Sequence, residues 1–154
     1  MKSQVPTLAQ YGYRVIAPDQ RGYSPGARPE AVAAYATSEL VKDVLGIADA
    51  VGFERFHLVG HDWGASVAWA TAIAAPDRLL TLTPISVPHP DAFATVLSDP
   101  TSCQPKASSY FGLFTSPTVE QTLLANNAAF LRGSYAGLPS ETVAEYVKSS
   151  VDPR

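Results

Sequence analysis

The 154 residues, 46% hydrophobic and 16% charged with net charge −3, have room for one globular domain with a core. No Lys/Arg run is present, which excludes nucleic acid and anionic membrane surfaces as partners. A lone Cys103 forbids an internal disulfide and suits a reducing cytoplasm, and neither a signal peptide nor an apolar run long enough to span a bilayer is found.

In chain order, the first strand is expected at Tyr13 to Ala17, between Gly12 and Pro18. A helix is expected from about Ser38 to Val51, with Leu40, Val44, Ile47 and Val51 on one face and Gly52 at its C-terminal cap. A second strand, Phe56 to Val59, ends at Gly60. Neither strand alternates in polarity, so both read as buried on two faces of a parallel sheet. A helix from about Gly64 to Ala75 stops at Pro76, and Leu79 to Val87 reads as a third strand interrupted by Pro84.

From Pro88 onward the pattern is helical: Asp91 to Leu97, Ser108 to Thr115, Pro117 to Leu131 and Glu141 to Ser149. The expected division is an α/β part, residues 1–88, and a helical part, residues 89–154. No internal repeat or low-complexity tract is found, and neither cofactor nor metal is expected.

The chemistry concentrates at Gly60-His61-Asp62-Trp63-Gly64, where a strand runs directly into a helix. A polar residue at the apex of such a turn is held proud of the sheet on strained backbone, and small residues two positions either side permit the close packing. Asp62 occupies the apex, and the first amides of the following helix point back at it. An ordinary carboxylate is ionised at neutral pH and attacks without activation. The simpler alternative makes Asp62 an N-cap, a role that requires neither the flanking glycines nor the strand.

The stretch Tyr13-Arg14-Val15-Ile16-Ala17-Pro18-Asp19-Gln20-Arg21-Gly22-Tyr23, the elbow, and Pro88-His89-Pro90 together resemble α/β-hydrolases of the epoxide hydrolase and haloalkane dehalogenase group. The resemblance runs from about Gln4 to the end of the chain. It implies part of an α/β-hydrolase core, about three parallel strands with flanking helices, followed by part of a helical cap. It also implies a small apolar substrate, an epoxide or an alkyl halide. On this basis Asp62 is the nucleophile that forms an alkyl-enzyme ester, and the Trp63 N–H helps form the oxyanion hole. In the dehalogenases the indole at the Trp63 position holds the departing halide. Arg21 is expected to fix its loop rather than act in catalysis.

Asp19 to Tyr23 looks more like the epoxide hydrolases, and no acid precedes Asp91 in the loop where some dehalogenases carry one. Tyr110, seven residues before Pro117, resembles the cap tyrosine that donates to the epoxide oxygen; the alternative is an aromatic packed with Phe111 and Phe114. Fluoroacetate dehalogenases carry arginine where Trp63 stands. The family fold needs more than about 200 residues. Its His-Gly-x-Pro loop, acid, base histidine and second cap tyrosine are not recognised among these 154. His57, His61 and His89 all read as structural. The expectation is therefore a truncated chain with open sheet edges and exposed apolar faces, inactive by itself.

Overall fold

A computed structural model describes residues 4–151. They divide into two units, residues up to Pro90 and residues from Asp91 onward.

The first unit begins with a helix that the sequence reading missed, α1, Gln4–Gln10. Next, Tyr13 to Ala17 departs from expectation, because the segment joins no ladder. Strand character depends on a neighbour as well as on composition, and Tyr13 and Ile16 lie exposed. Contacts with Val51, Phe53 and His57 hold the segment instead. Arg14 donates to the Val51 carbonyl at 3.1 Å and stacks over Phe53, and Tyr13 meets the His57 ring edge-on at 5.9 Å.

A 3-10 turn, Val32–Tyr35, precedes helix α2, Thr37–Ala50. Gly52 closes α2 in a left-handed conformation (φ 80°), and Phe53 N–H reaches back to the Ala48 carbonyl at 2.8 Å. Strand β1, Phe56–His61, leads into α3, Trp63–Ala74, and a 3-10 turn at Pro76–Arg78 leads into β2, Leu79–Ile85. The two strands pair in parallel, with His61 opposite Ile85, and form the whole sheet among the described residues. Helix α3 packs on both strands and on α2, burying Ala65, Val67, Ala68 and Thr71.

Burial on two faces is not observed. Side chains of β1 alternate between half-buried or buried (Phe56, Leu58, Gly60) and exposed (His57, Val59, His61). One face meets α3, while exposed Val59 and Ile85 leave an open apolar face. Pro84 does not interrupt β2, for a reason of direction. The Ile85 carbonyl points to β1, where it accepts the Asp62 N–H, so the adjacent Pro84 faces the other way. On that edge a missing N–H breaks no bond of the ladder.

Arg78 ties the entry of β2 to the end of the α2–β1 connection. It donates to the Glu54 carbonyl at 2.7 Å, the Phe53 carbonyl at 3.0 Å and Asp49 Oδ1 at 2.5 Å. Arg78→Ala strips donors from two backbone carbonyls and should lower unfolding free energy by about 1–3 kcal/mol, read from urea midpoints. Arg78→Lys should recover only part, because one ammonium cannot span the same fork.

The second unit contains α4 (Pro90–Ser98, whose first residue is the last of the first unit), α5 (Gln104–Ala107), α6 (Phe111–Phe114), α7 (Val119–Ser134) and α8 (Ser140–Val151). The helix expected over Ser108–Thr115 is reduced to α6, and the separate helix α5 ends just before that span. Buried Ser108 accepts the Gln104 side chain at 2.8 Å, and tight turns from Ser108 and Ser109 restart the chain. Helix α7 is not continuous either. Ala125 is extended, and Asn126, Asn127 and Ala128 are left-handed. Asparagine tolerates that region, and Arg132 caps the turn through the Asn127 carbonyl at 3.0 Å while the Ala128 methyl is buried. No helix among the described residues is long and apolar enough to cross a membrane.

Candidate active site

Strand β1 delivers the chain to Asp62 with φ 54° and ψ −124°, a conformation that costs a non-glycine residue about 1–3 kcal/mol. Both sides of the turn hold it there. The Asp62 N–H extends the ladder to the Ile85 carbonyl at 3.3 Å, and the Asp62 carbonyl accepts the first helical bonds from Ala65 (2.9 Å) and Ser66 (3.2 Å). The side chain makes no capping hydrogen bond and lies exposed. The capping alternative thus lacks the bond that defines it.

The two flanking glycines are not equivalent. A Cβ at Gly60 would stand 2.2 Å from the Gly64 carbonyl oxygen and 2.7 Å from the Ala65 nitrogen, so strand and helix meet without room for one methyl. A Cβ at Gly64 would meet only the Gln20 carboxamide, at 3.4 Å. The sequence expectation of a small residue on both sides is therefore enforced at Gly60 and relaxed at Gly64.

Trp63 opens α3, where its N–H has no intrahelical acceptor, and its indole is 66% exposed beside Asp62. These two residues share the first unit, while Tyr110 lies in the second. Tyr110 directly precedes α6, half exposed, with its ring edge-on to Phe111 at 4.6 Å and to Phe114 at 5.9 Å.

The three histidines have different surroundings. His57, near the start of β1, pairs through Nδ1 with Thr81 Oγ1 at 2.8 Å. His89 packs edge-on against Trp69 at 4.9 Å, and the same indole donates to the Val87 carbonyl at 3.2 Å. His61 lies exposed in the elbow. Arg21 makes a fork to Asp43 (2.8 and 2.6 Å) and a third bond to the Ala34 carbonyl at 2.9 Å. Those hydrogen bonds to Asp43, with its charge, hold the guanidinium above its ordinary pKa, so the group is a fixed cation that pins the loop to α2. Among the described residues no cluster of His, Cys, Asp and Glu could hold a metal ion.

Sequence reasoning overlooked Ser86. It follows β2 directly, also has positive φ (67°), and stands next to the elbow in register. A polar residue ending a strand was legible, but its neighbour in the sheet was not.

A family model described as the alpha/beta hydrolase fold matches residues 1–146. Epoxide hydrolase A of Mycobacterium tuberculosis is 48% identical over 87 residues, covering 56% of this chain and 27% of that protein. The AB hydrolase superfamily protein YfhM of Bacillus subtilis is 36% identical over 161 aligned positions, covering 99% of this chain and 55% of that protein. Among solved structures, a mutant epoxide hydrolase from Bacillus megaterium in complex with its diol product superimposes with a TM-score of 0.80 at 26% identity. That match covers 96% of this chain and 54% of the other. The chain thus spans about half, or less, of the length of these relatives.

Proposed function

This chain belongs to the α/β-hydrolase fold family and resembles its epoxide hydrolases, and from that premise we propose that Asp62 is the nucleophile of an epoxide-opening reaction. The observation that carries the reading is an aspartate at a strained strand-to-helix apex whose carboxylate is exposed and uncommitted to capping. An Asp62 oxygen attacks one epoxide carbon in line, and the carbon–oxygen bond breaks toward the ring oxygen. The resulting alkoxide takes a proton from the Tyr110 phenol, leaving an alkyl ester on Asp62. Hydrolysis then needs a base to take a proton from water: the hydroxide adds to the ester carbonyl, the Trp63 N–H stabilises the oxyanion, diol leaves with one proton of that water, and the other returns to the Tyr110 phenolate as the Asp62 carboxylate is restored. Residues 1–88 act as part of the core and residues 89–154 as part of the cap, in a cytoplasmic protein with a small apolar substrate.

The identity of 48% to an epoxide hydrolase over 87 residues supports the choice of electrophile. None of the three histidines stands as a base for water: two are engaged elsewhere, and His61 is the nucleophile's own chain neighbour. Incubation of the 154-residue chain with styrene oxide should therefore add one epoxide mass to the Asp62 peptide, and the ester should persist. Mass spectrometry of intact and digested protein checks both points. The exposed Trp63 indole favours a second reading, an alkyl-halide substrate with the indole N–H on the leaving halide. Halide release from 1-bromobutane without labelling by styrene oxide would select it. Inertness toward both reagents would leave a non-catalytic binding protein.

A further inference from the structure

We infer that Ser86 is a positioning residue for Asp62, acting through the one carbonyl the two residues share; the inference rests on the nucleophile reading above. The Ile85 carbonyl accepts the Asp62 N–H at 3.3 Å and the Ser86 hydroxyl at 2.6 Å. These are two donors for its two lone pairs. The register puts His61 opposite Ile85, so Asp62 and Ser86 are the next residues past the paired ends of β1 and β2. In open parallel sheets, ligands bind at that carboxyl end.

Both residues are exposed and both have positive φ, 54° and 67°. Two adjacent strained residues at one sheet edge are unlike the rest of the first unit, where every other described positive φ belongs to glycine. Serine is not a residue that relaxes such a backbone, whereas glycine would be. What serine adds is a hydroxyl, and that hydroxyl is spent on the preceding carbonyl. The bond fixes the Ile85–Ser86 peptide plane. With the plane fixed, the carbonyl stays aimed at Asp62, and the long 3.3 Å bond at the entrance to the elbow is maintained. Without it, the peptide rotates about its flanking dihedrals and the apex loses its tether on the sheet side.

The test uses Ser86→Gly, which removes the hydroxyl and relaxes the backbone, so it should fold at least as well as the parent. Ser86→Ala serves as the strained counterpart. Two readouts are taken on the 154-residue chain. Exchange of the Asp62 amide hydrogen, followed by NMR, should accelerate about tenfold in both variants while the amides within β1 keep their rates. The limiting rate of labelling by styrene oxide should fall about tenfold with little change in the half-saturating epoxide concentration, as misorientation of a reacting group predicts. A purely structural role would make labelling follow thermal stability, and then Ser86→Gly would label as fast as the parent. Unchanged Asp62 exchange in Ser86→Gly overturns the inference. So does parental labelling in a variant whose Asp62 exchange is fast. Failure of the parent to label, with exchange altered as expected, sinks the nucleophile reading and leaves the Ser86 tether standing.

Discussion

Asp62→Asn should reduce labelling by styrene oxide at least about 10³-fold and leave the fold intact. The loss follows from charge. A neutral carboxamide oxygen lacks the negative charge with which a carboxylate attacks carbon, and no other acid occupies the apex. Retention of the fold follows from what Asp62 does not do. Its side chain is exposed and caps nothing, and asparagine is isosteric with aspartate, so the same backbone is kept. Thermal unfolding should therefore move by no more than the equivalent of about 0.5 kcal/mol. Intact-mass kinetics of parent and variant at equal epoxide concentration decide the matter. Equal labelling would place the reactive group elsewhere. Lost labelling with a large fall in melting temperature would point to a structural role for the carboxylate.

The elbow was legible from sequence because its determinants are local. Gly60 and Gly64 bracket Asp62, an apolar run enters, a helical pattern leaves, and no distant residue is needed to read them. The structure adds the asymmetry between the glycines, which only the approach of strand and helix reveals. The Tyr13–Ala17 segment could not be read the same way. Its composition is that of a strand, but a ladder is a property of two segments, and among the described residues nothing pairs with it. Pro84 misled for a related reason, since the cost of proline depends on which edge its nitrogen faces. In the second unit, the helices at Pro90–Ser98 and Ser140–Val151 followed their apolar periodicity. The break at Ala125–Ala128 has no glycine or proline to announce it. Ser86 was invisible because its neighbour is chosen by the register of β1 on β2, twenty-four residues away in sequence at Asp62.

Gly60→Val should prevent the first unit from folding, the largest stability effect expected of any single substitution here. A Cβ alone at residue 60 would stand 2.2, 2.5 and 2.7 Å from three main-chain atoms of Gly64 and Ala65. Those atoms belong to the first turn of α3, whose next residues, Ala65, Val67 and Ala68, are buried. The helix cannot retreat without opening its contact with both strands, and the elbow geometry of Asp62 would go with it. Overpacking of this kind costs about 1–3 kcal/mol where side chains can adjust, and more where only backbone is available to move. Gly64→Ala is the matched control. Its Cβ meets only the tip of Gln20, at 3.4 Å, and alanine is the better helix former by about 1 kcal/mol. Urea unfolding and soluble yield should separate the pair widely, with Gly64→Ala near the parent and Gly60→Val largely insoluble. Similar stability in the two variants would mean that β1 and α3 do not approach as closely as 2.2 Å implies, and the strained apex at Asp62 would lose its structural cause.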